Sequence, residues 1–191
     1  VDHPISTYAA TKRSNELMAH VYSLNFGIKV TGIRFFTVYG PFGRPDMSIL
    51  IFINNIFKKK KIKIYNNGNN FRDFTYIDDV VARLFFLLEN KKSYNKAIKL
   101  NYMPNESSCN FRLINIGNSK LIKMTNLIKI IEKKLNLKAK KQYLPKLRGD
   151  LQKTFADNKN LKKMMKKFHI TSYEDGIEKT INWYKGFFQK N

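Results

Sequence analysis

A helical pattern from Thr7 to Asn25, stopped at Gly27 and followed at once by the β-branched run Lys29 to Phe36, constrains this chain most. A helix that runs straight into a strand, and then into further strand and helix signals in alternation, points to an α/β fold. Ser6 or Thr7 can cap the first helix. A loop with Gly40, Pro41, Gly43 and Pro45 comes next, then a helix from Ser48 to Lys60 whose terminal lysines suit a helix C-terminus. Ile62 to Tyr65 reads as a short strand, Asn66 to Asn70 as a turn cluster and Phe74 to Tyr76 as extended. Asp78 or Asp79 is expected to cap a helix ending near Asn90. Lys91 to Asn110 is polar and loop-like. Arg112 to Ile116 reads as a strand closed by Gly117, and Thr125 as the cap of a helix through Leu127, Ile128, Ile131 and Leu135. Gln142 to Leu144 is a further strand, and Asp157 a cap for a short helix from Asn158 to Lys167. A last helix, Tyr173 to Phe188, aligns Ile177, Ile181, Tyr184 and Phe188 on one face. The alternation is irregular for a complete doubly wound sheet.

With 191 residues, 43% hydrophobic and 14% aromatic, the chain has the means to build one domain or one domain with an appendage. One cysteine, Cys109, excludes an internal disulfide and a cysteine metal cluster. His3, His20 and His169 show no metal-ligand spacing. No apolar run reaches the length of a membrane span. The reading is a cytoplasmic protein with no membrane partner. A chain beginning at Val1, immediately before a catalytic-looking helix, is expected to be a fragment.

The net charge of +22 would ordinarily point to a polyanion. Its make-up argues otherwise, because 29 of the 36 cations are lysine, accompanied by 21 asparagines and 20 isoleucines. Those residue types accumulate in AT-rich genomes. The lysines are scattered over many segments, and bidentate base or phosphate readers are more often arginines. Solvated surfaces are therefore expected, with no nucleic-acid partner.

Tyr8 and Lys12 are four apart, which on a helix sets a phenol and an ammonium on one face. A cation beside a phenol favours its charged form and brings it towards acid–base work. A lone YxxxK arises often by chance. Here it lies within Ser6-Thr7-Tyr8-Ala9-Ala10-Thr11-Lys12, followed by Asn15-Glu16, Arg34-Phe35-Phe36-Thr37-Val38-Tyr39-Gly40-Pro41, Gly43-Arg44-Pro45-Asp46-Met47 and Arg72-Asp73-Phe74-Thr75-Tyr76-Ile77-Asp78-Asp79. Asn115-Ile116-Gly117-Asn118, Gly149-Asp150, Ala156-Asp157 and Trp183-Tyr184 continue the series. In order and spacing these segments resemble the extended short-chain dehydrogenase/reductases of the NAD-dependent epimerase/dehydratase family, most of all UDP-glucuronate 4-epimerases.

The resemblance implies the C-terminal part of a Rossmann-type α/β fold with its smaller substrate-binding domain. Residues 1–45 would close the NAD-binding domain, and 46–191 would form most of the UDP-sugar domain, with 74–117 returning partly to the Rossmann sheet. It implies NAD as cofactor, a UDP-sugar substrate, 4-epimerisation through a 4-keto intermediate, and a homodimer at full length. Tyr8 would be the acid–base at the sugar C4 hydroxyl. Lys12 would hold the nicotinamide ribose, and Val38 would approach the nicotinamide through its backbone. Thr37, where relatives often carry asparagine, would touch the sugar. Arg44 would fork onto a sugar carboxylate, Tyr65 would lie beside the uracil, and Arg72 would grip the diphosphate with Asp73 behind it. Asp150 would bind a ribose hydroxyl. Leu147 stands where a polar phosphate contact is usual, with Arg148 shifted by one. The Gly-rich pyrophosphate turn and the partner Ser or Thr of the tyrosine do not occur in these residues. This stretch alone is thus expected neither to retain NAD nor to turn over. A dehydratase or decarboxylase on the same scaffold, or an inactive UDP-sugar-binding remnant, is the alternative.

Overall fold

A computed structural model describes residues 3–90, 107, 109–147 and 149–188. Most of the loop expected over Lys91 to Asn110, and Arg148, lie outside the described residues. Helix α1 (Thr7–Phe26) starts where Ser6 Oγ accepts from the Ala9 N–H at 3.2 Å. It stops where Gly27 turns left-handed at φ 65°, a conformation open to a residue without Cβ.

Strand β1 (Val30–Phe35) lies parallel to β6 (Phe111–Ile116), from Val30 against Phe111 to Phe35 against Ile116. The chain then changes partner without turning. The Phe36 N–H donates to Ile116 O and the Thr37 N–H to Asp73 O, each at 3.2 Å. Beyond that point β2 (Thr37–Tyr39) runs parallel to β5 (Phe74–Tyr76). Two further pairs complete the strands: β3 (Lys61–Ile64) parallel to β8 (Lys140–Tyr143), and β4 (Phe71–Arg72) antiparallel to β7 (Ile122–Lys123).

Helices α2 (Ser48–Phe57), α4 (Met124–Leu135) and α6 (Tyr173–Phe188) turn their apolar faces to one large core. There Ile53, Ile56, Ile62, Leu127, Ile128, Ile131 and Ile177 are sealed from solvent. A smaller core joins Val80 and Leu87 of α3 (Ile77–Glu89) to Ile114 and Ile116 of β6 and Leu161 of α5 (Lys159–Met164). Three-residue β2 and β5 tie the two cores together: Tyr39, Phe74 and Tyr76 face the large one while Val38 packs on the small one. No helix among the described residues is long and apolar enough to cross a membrane.

Several expected caps prove to have other duties. Strand β5 enters α3 directly, so Tyr76 takes the N-cap position with no side-chain bond. The Asp79 carboxylate instead accepts from the Thr171 N–H and hydroxyl, both at 2.8 Å. Lys123 holds the cap position of α4, since β7 leads straight into it, and Thr125 packs in the first turn against Gly68. At α5 the cap position falls to Asn158, whose amide pairs with the Gly117 backbone in both directions, while Asp157 accepts from the Lys159 N–H at 3.0 Å. Helix α6 has the expected bounds, but Phe188 is half exposed and packs on Tyr184 at the rim.

Candidate functional site

Beside the large core lies a cavity of about 620 Å³. Its walls come from separated stretches: Thr37 at the head of β2, Asp46 and Met47 ahead of α2, Lys61 and Lys63 on β3, Tyr65, Asn70, Arg72 on β4, and Asp150. Four residues singled out by motif (Thr37, Tyr65, Arg72 and Asp150) therefore share one space. The strand pairings explain how. β3 against β8 brings the 61–65 segment to the wall, and β4 against β7 presents Arg72. The turn Tyr65–Gly68 bends tightly, with Asn66 and Asn67 at φ 51° and 48°, a conformation asparagine tolerates well.

Arg72 is held rigidly. Its Nη2 donates to Asp150 Oδ1 at 2.6 Å, and Nη1 donates to the Phe71 and Gln152 carbonyls at 3.0 and 3.3 Å. The other Asp150 oxygen accepts from Asn70 Nδ2 at 2.8 Å, and Asn70 Oδ1 accepts from Asn66 Nδ2 at 2.8 Å. A charge-assisted pair buttressed in this way fixes the direction of the guanidinium. Sequence reasoning missed Asn70 and Asn66, which it read only as turn residues, and missed Asp46, Lys61 and Lys63. An asparagine just ahead of the Phe71-Arg72 pair was the available signal for Asn70.

Asp73 does not stand behind Arg72. It is fully buried, and its carboxylate accepts three backbone N–H groups, from Asn118 (2.7 Å), Ser119 (2.9 Å) and Ala156 (3.0 Å). Burial pushes its carboxyl above the usual range, against the three donors and the Arg83 cation. Asp73 falls between β4 and β5, and its carboxylate turns inward where Arg72 faces the cavity.

Tyr8 and Lys12 meet as the spacing demands, with Lys12 Nζ 5.2 Å from the ring centroid. Tyr8 is 71% exposed, and neither it nor Lys12 lines the cavity. Their helix is tied to β1 by Glu16, which accepts from Arg34 Nε and Nη2, both at 2.6 Å, and from Arg13 at 3.0 Å. The Arg34 bonds lead in holding the Glu16 carboxyl below its ordinary value, with Arg13 adding to them and burial opposing. Since β1 continues into β2, this anchor sets the Tyr8 helix relative to Thr37 and Val38. Val38 is half buried in the smaller core and does not line the cavity. Arg44 also stays outside the lining. Its fork closes on Asp46, at 3.0 and 2.5 Å, within the exposed loop. No group of three metal-binding side chains occurs among the described residues.

Residues 1–101 match the NAD dependent epimerase/dehydratase family. An uncharacterized protein of Methanocaldococcus jannaschii is 46% identical over 184 residues, which are 96% of this chain and 51% of that protein. UDP-glucuronate 4-epimerase of Thermodesulfobacterium geofontis is 38% identical over 186 residues, 97% of this chain and 52% of the enzyme. The crystal structure of UDP-glucuronic acid 4-epimerase from Bacillus cereus, in complex with UDP-glucuronic acid and NAD, aligns with a TM-score of 0.83 at 32% identity. It covers 97% of this chain and 55% of that one. The chain thus spans about half the length of the relatives it matches.

Proposed function

We propose that this chain, which belongs to the NAD dependent epimerase/dehydratase family, supplies the sugar-binding half of an epimerase that interconverts UDP-glucuronate and UDP-galacturonate. One observation carries the reading: Thr37, Tyr65, Arg72 and Asp150 converge on a single cavity. The rigid Arg72 fork suits a diphosphate, and the lysines of β3 add positive charge to the same wall. Tyr65 offers a ring for the uracil, Asp150 an acceptor for a ribose hydroxyl, and Thr37 a hydroxyl for the sugar. Arg44 can receive a sugar carboxylate by exchanging Asp46 for it, since both are planar partners of the same fork.

The catalytic role falls to Tyr8. In this reading its ionised phenolate oxygen takes the C4 hydroxyl proton of the sugar, and the resulting phenol gives it back to the C4 oxygen after the 4-keto sugar has presented its other face. NAD, when bound, supplies the hydride acceptor and donor. The residues present fit only one end of it. The adjacent phenol and ammonium of Tyr8 and Lys12 offer donors suited to a nicotinamide ribose, whereas no Gly-rich turn for the pyrophosphate occurs in the sequence. These 191 residues alone should therefore neither retain NAD nor turn over. The exposed Leu17, Val21 and Leu24 of α1 suit burial against a second copy in a full-length homodimer.

Calorimetry with UDP tests the cavity: binding weakened more than about tenfold by Arg72→Ala supports the assignment, and binding indifferent to that change removes it. Joined to an NAD-binding half, the protein should convert UDP-glucuronate to UDP-galacturonate, and Tyr8→Phe should abolish turnover while UDP still binds. UDP-xylose as product would indicate a decarboxylase instead.

A further inference from the structure

Phe42 sits at φ 57°, in the left-handed region that bulky side chains avoid. Turn hydrogen bonds flank it, from the Gly43 N–H to Gly40 O at 3.3 Å and from the Met47 N–H to Arg44 O at 3.1 Å. Its own side chain makes aromatic contacts. The ring lies 5.2 Å from Trp183 and 6.1 Å from Phe187 of α6, and Trp183 stacks on Phe187 at 5.5 Å with the planes 26° apart. Trp183 in turn packs against the large core, so this platform is fixed. A few residues on, Arg44 and Asp46 form their pair, and Asp46 and Met47 wall the cavity.

Resting on the UDP-sugar reading above, we propose that Phe42 is a positioning residue for the sugar end of the substrate. Clamped on Trp183 and Phe187, its ring sets the 40–47 loop and so aims the Arg44–Asp46 pair and the Asp46–Met47 wall. The nucleotide end has a separate frame, because Arg72 and Asp150 are held by Asn70 and by the backbone around β4. Loss of the clamp therefore weakens the hold on the hexuronate and spares the hold on UDP. Phe42 is 77% exposed, so shortening it opens no hole in the core.

The test is calorimetry of the chain with UDP-glucuronate and with UDP, for the native sequence, Phe42→Ala and Phe42→Tyr. Phe42→Ala should weaken UDP-glucuronate by about tenfold and change UDP by less than about twofold, while Phe42→Tyr, which keeps the ring, restores the native pattern. Trp183 is the single tryptophan, so its emission reports the clamp directly and should shift in Phe42→Ala and not in Phe42→Tyr. A Phe42→Ala variant that binds both ligands as the native chain does, or weakens both equally, overturns the clamp alone. A native chain that binds neither ligand overturns the UDP-sugar reading and the clamp together.

Discussion

Replacing Asp73 separates a structural carboxylate from a ligand-binding one. Its two oxygens satisfy the N–H groups of Asn118, Ser119 and Ala156, which come from the end of β6 and from the approach to α5. With alanine, two buried donors and one half-buried donor lose their acceptor. At about 1–2 kcal/mol for each such donor left unsatisfied, the loss is about 3–6 kcal/mol. Domains of this kind hold only about 5–15 kcal/mol in total. Asparagine keeps one oxygen, turned to serve Ser119 and Ala156, and points its amide at the Asn118 N–H. It also removes a charge whose burial is unfavourable enough to raise its pKa, so the net loss falls to about 1–2 kcal/mol. Urea unfolding should show the midpoint falling with an unchanged slope. The melting temperature should drop about 2–8 °C for Asp73→Asn, at about 2–4 °C per kcal/mol for a chain of this size, and much further for Asp73→Ala. UDP affinity of folded Asp73→Asn should stay within about twofold of the native value, because Asp150 holds Arg72. Two variants within about 0.5 kcal/mol of the native chain, or an intact fold that has lost UDP, would refute this reasoning.

Other changes follow from the same geometry. Glu16→Gln breaks the link between α1 and β1. Because the folded pKa of Glu16 is depressed, its contribution is complete above the ordinary value of 4.5 and fades as pH falls through the folded value. Urea midpoints of the two proteins should therefore differ at pH 7 and converge in acid, and a constant gap would contradict the assignment. The Tyr39 hydroxyl is buried with no hydrogen-bond partner among the described residues, so Tyr39→Phe should be neutral or stabilise by about 1 kcal/mol in thermal melts. A Cβ on Gly176 would meet that hydroxyl at 2.1 Å. Gly176→Ala should accordingly cost about 1–3 kcal/mol, and a Gly176→Ala, Tyr39→Phe double variant should recover part of it.

Local chemistry in the sequence was enough to place most elements. Ser6 and Gly27 bound α1, and the periodicity of Ile177, Ile181 and Tyr184 located α6 to its ends. Partner choice across long separations was not readable. Asp79 looks like a helix cap by position, yet its carboxylate serves Thr171, 92 residues on. Asp73 adjoins Arg72 in the chain, but its carboxylate is taken up by the backbone at Asn118, Ser119 and Ala156, and the buttress falls to Asp150, 78 residues distant from Arg72. Nor did the run from Lys29 to Phe36 announce that its continuation would leave β6 for β5, since strand propensity carries no address. For Arg44 the chemistry was legible, a fork that fits a carboxylate, and the nearby carboxylate of Asp46, two residues away, was not singled out as one. That Thr37, Tyr65, Arg72 and Asp150 share one cavity no periodicity reveals; the family resemblance marked the positions, and the strand pairings bring them together.

The strand line that passes from β6 to β5 between Phe36 and Thr37 has a consequence for how such a protein can diversify. Side chains on it alternate with a period of two, and the same line is anchored to the Tyr8 helix at one end and opens onto the cavity at Thr37. Inserting or deleting one residue there would reverse every side chain beyond it, taking Thr37 out of the cavity wall and Val38 out of its core. The wall of the cavity along this stretch is thus free to change by exchange of side chains, Thr37 foremost, and closed to any change of length.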